Sequence, residues 1–475
     1  METLNISVLN EIKPVDNARA DKLIAAELAG FNKKIVVLDD DPTGVQTVHG
    51  VSVYTDWSTE TLCAGFEEEI SMFFILTNSR GMTAPITQEA HREIAKNLNS
   101  AAKITGKDFI LISRSDSTLR GHYPLETEVL QNELEKLSGN SFDGEIIFPF
   151  FLEGGRFTIG NIHYVREGDT LTPAGETEFA KDKTFGYTSS HLGEWCEEKS
   201  GGIYSSKNMT YITLEDLRSF DIDGIVNKLC GVSNFNKVIV NSASYTDVKV
   251  FAAAYLQAVK LGKRFMFRSA AAITKVLGGI SDRPLLMRDE LIEPGNRNGG
   301  IVMIGSHVNK TTKQLEALHT STLPIEFIEF NQHRVLETNG LKQETKTISA
   351  QAAKNIAAGK TTVIYTRRDR FDLDTSDKDK QLEISIQISD AVTACVSCLT
   401  VRPSFIIAKG GITSSDIGTK ALAVKKAVVM GQAAPGIPVW MTGAESRFAN
   451  MPYIIFPGNV GADDTLLKIV ETLSK

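Results

Sequence analysis

The chain has 475 residues, of which 42% are hydrophobic and 23% are charged, and its formal net charge is −7. These fractions are typical of globular proteins and exclude disordered and fibrous classes, while the acidic balance argues against a nucleic-acid-binding protein. Five scattered cysteines, no signal-peptide pattern and no apolar run of roughly 18 residues predict a soluble cytoplasmic protein without a membrane partner.

Short apolar runs alternate with longer amphipathic stretches along the chain. The first strands are predicted at Lys34–Leu38, Val51–Tyr54, Met72–Thr77, Phe109–Ser113, Glu145–Phe148 and Lys237–Asn241. A second series is predicted at Gly300–Ile304, Thr361–Tyr365, Ser404–Ala408, Ala427–Met430 and Tyr453–Phe456. Helical patterns between them include Gln88–Leu98, Leu125–Leu137, Val248–Leu261 and Lys310–Leu318. This alternation predicts an α/β protein with largely parallel sheets flanked by helices.

The chain is too long for one ordinary hydrophobic core, so two domains are expected. The polar stretch Ile292–Gly299 contains Gly and Pro and precedes a fresh strand. We therefore expect a helical extension over residues 1–33, a first domain over 34–291 and a second over 292–475. The stretch Gly154–Gly202 has little periodicity and is expected to be a partly irregular insertion.

Three acidic residues, Asp39–Asp41, follow the first predicted strand. Ligands of open α/β sheets bind beyond the carboxyl ends of the strands, where a carboxylate can act as a general base or hold a cation. The alternative is a solvated turn, because Asp and the following Pro42–Gly44 are ordinary turn formers. The acidic run is therefore one candidate site.

Two further strand ends place arginines beside hydroxyl side chains. The first contains Asn78–Arg80, and the second contains Arg114, Asp116, Ser117, Thr118 and Arg120. This composition suits a ligand with a carboxylate and several hydroxyl groups, although Ser and Thr are also common helix N-caps. The segment Pro149–Tyr164 adds Arg156, Asn161 and His163 as a further wall of the same pocket, with His163 more typical of a structural hydrogen bond.

The second half of the chain contains three glycine loops, each between a predicted strand and a predicted helix. They are Gly305-Ser306, Lys409-Gly410-Gly411 with Thr413 behind it, and Gly458–Gly461. Glycines let the backbone approach a ligand, and helix N-termini offer free N–H groups to phosphate. Neither a Walker A loop nor a GxGxxG fingerprint is present. Each loop alone is consistent with a tight turn, but the three together favour a nucleotide site.

The order of these motifs resembles that of the four-carbon acid sugar kinases. The resemblance rests on LDDDPTGVQT, TNSRG, SDSTLRGHYPLE, GGRFTIGNIHYV, AKGGITSSDI, GQAAPGIPV and PGNVGADD, and it runs from Lys34 to the C-terminus. It implies an N-terminal sugar-acid domain and a C-terminal ATP domain, with the reaction in the cleft between them. Members phosphorylate threonate, erythronate or 3-oxo-tetronates at the terminal hydroxyl. This chain has DDDPTG, GGIT and GNVG where ADDLTG, GGET and GNFG are common, which bears on substrate identity.

The resemblance also implies site residues. Its motifs place Asp41, with Asp40 beside it, Arg80 and Asp116–Thr118 at the substrate, and Ser306, Lys409–Thr413 and Gly458 at ATP. The resulting hypothesis has Asp41 or Asp40 as the catalytic base. The substrate contacts are Arg80, Arg114, Asp116, Ser117, Thr118, Arg120 and Arg156, of which Arg80 with Arg114 or Arg120 binds the carboxylate. The ATP contacts are Ser306, Lys409, Gly410, Gly411, Ile412, Thr413, Gly458, Asn459 and Gly461, with Mg²⁺ bridging the phosphates.

Two other functions compete with a kinase. A dehydrogenase or aldolase acting on sugar acids is disfavoured, because the dinucleotide fingerprint, a Schiff-base lysine and a metal-binding His cluster are missing from the sequence. A non-catalytic regulator with the same two-domain cleft stays open. A homodimer is expected for a small-molecule kinase of this size. The sugar acid, its stereochemistry, the hydroxyl that is phosphorylated and the individual Mg²⁺ ligands are not specified by the sequence.

Overall fold

The computed structural model describes residues 2–369, 371, 378–458 and 460–474. The chain forms two compact units. The first contains Met1–Val48 and Asp56–Asp282, and the second contains His49–Thr55 and Arg283–Lys475. The chain therefore passes from one unit to the other at 48/49, at 55/56 and at 282/283. A short segment near its start belongs to the second unit.

The strands and helices follow the predicted alternation. In chain order the strands are β1 (Leu4–Asn5), β2 (Lys34–Asp39), β3 (Ser52–Tyr54), β4 (Met72–Leu76), β5 (Phe109–Arg114), β6 (Gly144–Phe148), β7 (Arg156–Ile159), β8 (Ile162–Glu167), β9 (Thr170–Pro173), β10 (Thr210–Ile212), β11 (Asn236–Val240), β12 (Phe265–Ser269), β13 (Ile301–Ile304), β14 (Ile325–Phe330), β15 (Thr361–Thr366), β16 (Ile406–Lys409), β17 (Lys426–Ala434), β18 (Ile437–Thr442) and β19 (Pro452–Phe456). The α-helices are α1 (Val8–Glu11), α2 (Asn17–Ala29), α3 (Thr59–Glu67), α4 (Ala84–Thr105), α5 (Leu125–Ser138), α6 (Leu192–Lys199), α7 (Leu214–Arg218), α8 (Ile222–Cys230), α9 (Tyr245–Lys260), α10 (Ala271–Leu277), α11 (Arg288–Leu291), α12 (Asn309–Leu318), α13 (Gly340–Ala357), α14 (Lys378–Ser397), α15 (Gly411–Asp416) and α16 (Thr465–Ser474).

The first unit is built on a parallel sheet with the strand order β10-β11-β6-β12-β5-β2-β4. Its central strands are almost continuously apolar, as expected where helices cover both faces of a parallel sheet. The register aligns Asp39 of β2 with Leu76 of β4 and with Arg114 of β5. Arg114 is in turn aligned with Ser269 of β12. The carboxyl ends of four neighbouring strands therefore lie at one level.

A small antiparallel sheet, ordered β1-β9-β8-β7, completes the first unit. The N-terminal extension contributes to it, because Leu4 of β1 is aligned with Leu171 of β9. The extension is thus not purely helical: it contains β1 as well as α1 and α2. The stretch expected to be an irregular insertion provides β7, β8, β9 and α6.

The second unit has the sheet order β3-β17-β18-β19-β16-β13-β15-β14. Strands β19, β16, β13, β15 and β14 are parallel, whereas β3, β17 and β18 add antiparallel pairings at one side. Val302, Ile407 and Ile454 from three adjacent parallel strands are fully buried in its core. The predicted α/β fold class with two largely parallel sheets is confirmed. Within the described ranges, no helix is long and apolar enough to cross a membrane.

Candidate functional site

An acidic group lies at the carboxyl edge of the first sheet, directly after β2. Asp39 and Asp40 are buried, with 2% of each side chain exposed, whereas 14% of the Asp41 side chain is exposed. The turn that follows is compact, because the Thr43 amide donates to Asp41 Oδ1 at 2.8 Å. A side chain at position 44 would collide with the Asp39 carboxylate, so this close approach requires Gly44. The backbone thus holds the acidic group in place.

Two arginines from neighbouring strand ends pair with the acidic group. The Arg80 guanidinium donates to both oxygens of Asp40, at 3.1 and 2.6 Å, and to Asp41 Oδ2 at 3.3 Å. Arg114 Nη1 donates to Asp39 Oδ1 at 3.2 Å and lies 3.6 Å from Asp40 Oδ1. Only 4% of the Arg114 side chain and 20% of the Arg80 side chain are exposed. Both arginines are therefore committed to aspartates of the acidic group.

Burial and the two arginines shift the pKa values of the three aspartates in different directions. Burial raises the pKa of Asp39 to about 8, against the lowering effect of Arg114. Burial also raises the pKa of Asp40, although Arg80 acts in the opposite direction. For Asp41, Arg80 and the hydrogen bonds from Thr43 outweigh burial and lower the pKa. The lowered pKa keeps Asp41 ionised at neutral pH, and Asp41 is also the most exposed of the three.

A second charged cluster combines Asp116 and Arg120, which follow β5, with Asp182 and with Arg156 of β7. Arg120 Nε donates to Asp116 Oδ2 at 2.7 Å, and the Thr118 hydroxyl donates to the same oxygen. Despite burial, Arg120 and Arg80 hold the pKa of Asp116 well below its usual range. Arg120 and Arg156 both lie over the ring of Phe179, with their guanidinium carbons 5.0 and 5.7 Å from its centroid.

Arg156 differs from the other arginines of this edge. Its Nη1 donates to the carbonyl of Gly154, and its buried Nε has no hydrogen-bond partner. Among the described residues, no carboxylate lies within 4 Å of its guanidinium. Burial lowers the pKa of this guanidinium, and Asp116 only partly counteracts that effect. Arg156 is a largely buried cation whose charge is not neutralised by a direct partner.

Two buried residues support the loop that carries Asp116, Ser117 and Thr118. Burial lowers the pKa of His163 to about 4, so the ring is neutral at pH 7. Its Nε2 donates to the Ser117 carbonyl at 2.8 Å, and its Nδ1 accepts from the Thr158 hydroxyl at 3.0 Å. His163 is a positioning residue, as the sequence indicated.

Sequence reasoning missed Arg268, the second supporting residue. Arg268 lies on β12, is 2% exposed, and donates to the carbonyls of Asp116 and Arg120 at 3.5 and 3.0 Å. Strand β12 was not predicted, because an arginine interrupts its short apolar run. The sequence feature that indicates β12 is the position of this apolar run between an amphipathic helix and an alanine-rich helix, where a parallel sheet requires a further strand.

In the second unit, the three glycine loops follow the adjacent parallel strands β19, β16 and β13. Lys409 at the end of β16 is aligned with Ile304 and with Phe456. Gly410 has φ +118°, and an added Cβ would lie 3.2 Å from Ser306 Cβ and 3.4 Å from Thr413 Oγ1. Only glycine adopts such a backbone without strain. The predicted residues Ser306, Gly410 and Thr413 are thus close together.

Hydrogen bonds join the first and third of these loops. The Thr311 hydroxyl of α12 lies 3.2 Å from Ser306 Oγ and donates to the Gly458 carbonyl at 3.0 Å. Lys310 Nζ donates to the Gly461 carbonyl at 3.2 Å. Asn459, also predicted to contact ATP, lies outside the described residues. The loops thus form one backbone-rich surface.

The remaining predicted residues of the GGIT loop occupy different positions. The side chain of Lys409 is buried, its Nζ donates to the Pro457 carbonyl at 3.0 Å, and it lies 3.7 Å from the Phe456 ring centroid. Burial and the nearby Lys310 lower its pKa to about 7. Gly411 begins α15, and Ile412 behind it is 71% exposed. Lys409 therefore supports the loop from below, whereas Ile412 lies on its surface.

Arg368, which follows β15, is a further residue that the sequence did not indicate. Its Nη2 donates to the Ser306 carbonyl at 2.8 Å and to Thr312 Oγ1 at 2.9 Å. Its Nη1 is buried without a hydrogen-bond partner, and burial lowers the pKa of its guanidinium. The described residues include no cluster of three His, Cys, Asp or Glu side chains arranged for a metal ion.

Comparison with known proteins agrees with the two units. A family model described as a sugar-binding N-terminal domain matches residues 35–277, and one described as a nucleotide-binding C-terminal domain matches residues 301–466. A comparison with curated proteins gave no match. The chain therefore carries a sugar-binding domain followed by a nucleotide-binding domain.

Two solved structures share the fold over nearly the whole chain. Haemophilus influenzae protein HI1011, assigned to a domain-of-unknown-function family, is 17% identical, with coverage of 92% of this chain and 100% of that chain and a TM-score of 0.59. A Salmonella typhimurium LT2 protein provisionally named a tRNA synthase is 16% identical, with coverage of 92% and 98% and a TM-score of 0.63. At these identities the similarity concerns the fold alone. Since the two family models together match most of the sequence, the chain belongs to the four-carbon acid sugar kinase family.

Proposed function

We propose that the protein is an ATP-dependent kinase that phosphorylates a hydroxyl of a small, four-carbon sugar acid such as threonate, erythronate or a 3-oxo-tetronate. The observation that carries this proposal is the uncompensated guanidinium of Arg156, which lies in a sugar-binding domain beside a cluster of acidic and hydroxyl side chains. A neutral sugar would not require such a cation, whereas a carboxylate would neutralise it. The nucleotide-binding domain of the same chain supports phosphoryl transfer as the reaction.

Arg156, with Arg120 beside it, is the best candidate to bind the substrate carboxylate. Arg120 shares the Phe179 ring with Arg156 and keeps 25% of its side chain exposed, although it is also paired with Asp116 and lies 3.9 Å from Asp182. Arg80 and Arg114, which the sequence suggested for this role, already donate hydrogen bonds to the acidic group. In this proposal they position Asp40 and Asp41, while Ser117 and Thr118 contact the substrate hydroxyls.

Asp41 is the best candidate for the general base. Its lowered pKa keeps it ionised at neutral pH, and its exposure exceeds that of Asp39 and Asp40. An ionised carboxylate can orient the attacking hydroxyl and accept its proton as the bond to phosphorus forms. Asp40 shares the Arg80 guanidinium with Asp41, so a change in the charge of one affects the other.

The glycine loops of the second unit are the best candidates to bind ATP. The amides around Gly410–Gly411 and Gly458–Gly461 suit phosphate oxygens, and Arg368 would add a positive charge beneath Ser306. Mg²⁺, held mainly by phosphate oxygens and water, would neutralise part of the charge on the triphosphate. Phosphoryl transfer depends on positioning and charge neutralisation, which these residues can supply.

An ADP-release assay on the purified full-length protein tests the proposal. The reaction contains Mg-ATP and one member of a panel: D- or L-threonate, D- or L-erythronate, or a 3-oxo-tetronate. We expect turnover with one acid and none with the corresponding neutral alditol, because only the acid neutralises Arg156. ATP binding without turnover on any member would refute the four-carbon substrate, and failure to bind ATP would refute the kinase. NAD(P)-dependent absorbance changes with the same panel would instead indicate a dehydrogenase.

A further inference from the structure

The first unit contains a pocket at the amino-terminal edge of its parallel sheet. Phe109 and Phe265, the first residues of β5 and β12, line this pocket, whereas Arg114 of the acidic edge is the last residue of β5. Its volume is about 320 Å³. This is within the usual range of ligand pockets, about 300–1,000 Å³. The pocket is thus separate from the acidic group and large enough for a small metabolite.

Positive side chains outnumber negative ones in the lining of this pocket. The cations are Lys33, Lys103, Lys107, Lys263 and Arg264. Two of them have acidic partners: Lys33 pairs with Asp108 at 2.6 Å, and Lys263 pairs with Asp143 at 2.8 Å. In the described part of the chain, no carboxylate lies within 4 Å of the charged groups of the other three. Such a concentration of positive charge is unexpected in a protein with a net charge of −7.

Helix ends explain only part of this charge. Helices α4 and α5 end at the pocket, and lysines are often found near the partially negative carbonyls of helix C-termini. At each of the two ends one such carbonyl already accepts a backbone hydrogen bond: Ala102 from Lys107 at 3.1 Å, and Glu135 from Gly139 at 2.9 Å. The Glu135 carboxylate accepts from the Phe142 amide at 2.7 Å. Arg264 precedes β12 rather than ending a helix, so helix capping does not account for it.

Two polar groups in the pocket are buried without partners. Arg264 Nη1 has no hydrogen-bond partner, although its guanidinium carbon lies 5.0 Å from the Phe142 ring centroid. Tyr255 is fully buried, and its hydroxyl also lacks a partner. Most buried polar groups in native proteins are hydrogen-bonded, so each such group requires an explanation. Neither atom is accessible at the pocket surface, so a contact between Arg264 and a ligand would use its other guanidinium nitrogens.

We propose that this pocket binds a small phosphate ester. Lys103, Lys107 and Arg264 contact the phosphoryl group, and the rings of Phe109 and Phe265 cover the carbon portion. A guanidinium and two ammonium groups suit a phosphoryl dianion better than a monocarboxylate. This site goes beyond the proposed kinase reaction, because it lies at the edge of the sheet opposite to the acidic group.

Isothermal titration calorimetry of the full-length protein with glycerol 3-phosphate tests this proposal. Inorganic phosphate and glycerol serve as comparison ligands at 150 mM KCl, where weak surface attraction is screened. The test variants are Lys103→Ser with Lys107→Ser, both exposed positions, and Arg264→Gln. The matched control, Lys346→Ser with Lys354→Ser, removes the same charge from exposed positions of α13 in the second unit.

We expect both pocket variants to bind glycerol 3-phosphate at least tenfold more weakly than the unmodified protein. The control and an Arg156→Gln variant should bind it with unchanged affinity, and glycerol should not bind. Three results would overturn the proposal: no binding to the unmodified protein, equal affinity in the Lys103/Lys107 variant, or an equal loss in the control. The lysine variant keeps the test decisive even if Arg264→Gln fails to fold. A kinase without this site would still turn over its acid, so the two proposals fail separately.

Discussion

Replacement of Arg156 by Met should separate the stability of the protein from its affinity for substrate. Arg156 is a largely buried cation without a direct acidic partner among the described residues. Burial of such a charge is unfavourable, so the free energy of unfolding of Arg156→Met should stay within about 1 kcal/mol of the unmodified value or rise. Arg218→Met provides the contrast. Arg218 donates to both Asp247 oxygens at 2.9 and 3.0 Å, and removal of one partner of a buried pair costs about 3–5 kcal/mol.

The effect of Arg156→Met on catalysis follows from the hydrogen bonds to the substrate carboxylate. Hydrogen bonds to charged groups contribute about 1.5–3 kcal/mol, and each 1.4 kcal/mol is about tenfold. We therefore expect kcat/KM for the preferred acid to fall about 10- to 150-fold. Because the carboxylate is bound equally in the ground state and the transition state, KM should carry most of the loss. Arg156→Lys keeps the charge but not the guanidinium geometry. Its kcat/KM should therefore lie between the values of the unmodified protein and of Arg156→Met.

Urea denaturation and ADP-release kinetics measure the two quantities on the same preparations. The reasoning would be refuted if Arg156→Met lost as much stability as Arg218→Met while KM stayed unchanged. That result would make Arg156 a structural residue. A large loss in kcat at constant KM would instead place Arg156 at the transferred phosphoryl group rather than at the carboxylate.

Three further predictions concern both units. Asp41→Asn should lower kcat by about 10²–10⁴-fold with near-normal stability, measured by ADP release at saturating substrate; a near-normal rate would remove Asp41 as the base. Gly410→Ala should weaken ATP binding in calorimetry and lower stability by about 1–3 kcal/mol, because the backbone has φ +118° there. Gly411→Ala, in the first turn of α15, is the matched control, and equal losses in both would contradict this account. Burial raises the pKa of Asp39 to about 8, so the folded protein favours the protonated form of this carboxyl group. This contribution to stability is present near pH 4 and is lost as the pH rises through 8. As the pH is raised from 4.5 to 8.5, urea denaturation should therefore show that Asp39→Asn becomes more stable relative to the unmodified protein. Parallel stability profiles of the two proteins over this pH range would refute the reasoning.

The sequence was sufficient to predict the edge at which polar residues gather in the first unit. Apolar runs such as those of β2 and β5 identify buried parallel strands, and the polar residues that follow them must then meet at one edge. The register that aligns Asp39 with Arg114 agrees with this reasoning. Which arginine pairs with which aspartate was not predictable, because that depends on side-chain directions across different loops. Arg80 was expected to bind the carboxylate of the substrate, yet it contacts Asp40 and Asp41.

Burial also changes what a motif residue can do. Lys409 precedes two glycines, a position that suggests a phosphate contact in the sequence. Its side chain instead lies beneath the loop against Phe456. Arg268 shows the opposite case, because a charged residue within an apolar run argues against a strand although it lies fully buried on β12. Both depend on tertiary partners that are distant in sequence, and periodicity does not reveal them.

Strand β3 determines where the gene can be divided. Ser52–Tyr54 pair with β17, and the Gly50 amide donates to the Val429 carbonyl at 2.7 Å, so this strand is part of the second unit. A fragment that starts at Arg283 would lack it and would expose the backbone of Lys426–Val428 as an unpaired sheet edge, which favours aggregation. Fusion of residues 49–55 to that fragment through a flexible linker would restore the missing pairing. Expression of the nucleotide-binding half as an independent, crystallisable protein therefore depends on a peptide encoded more than two hundred codons upstream of its main body.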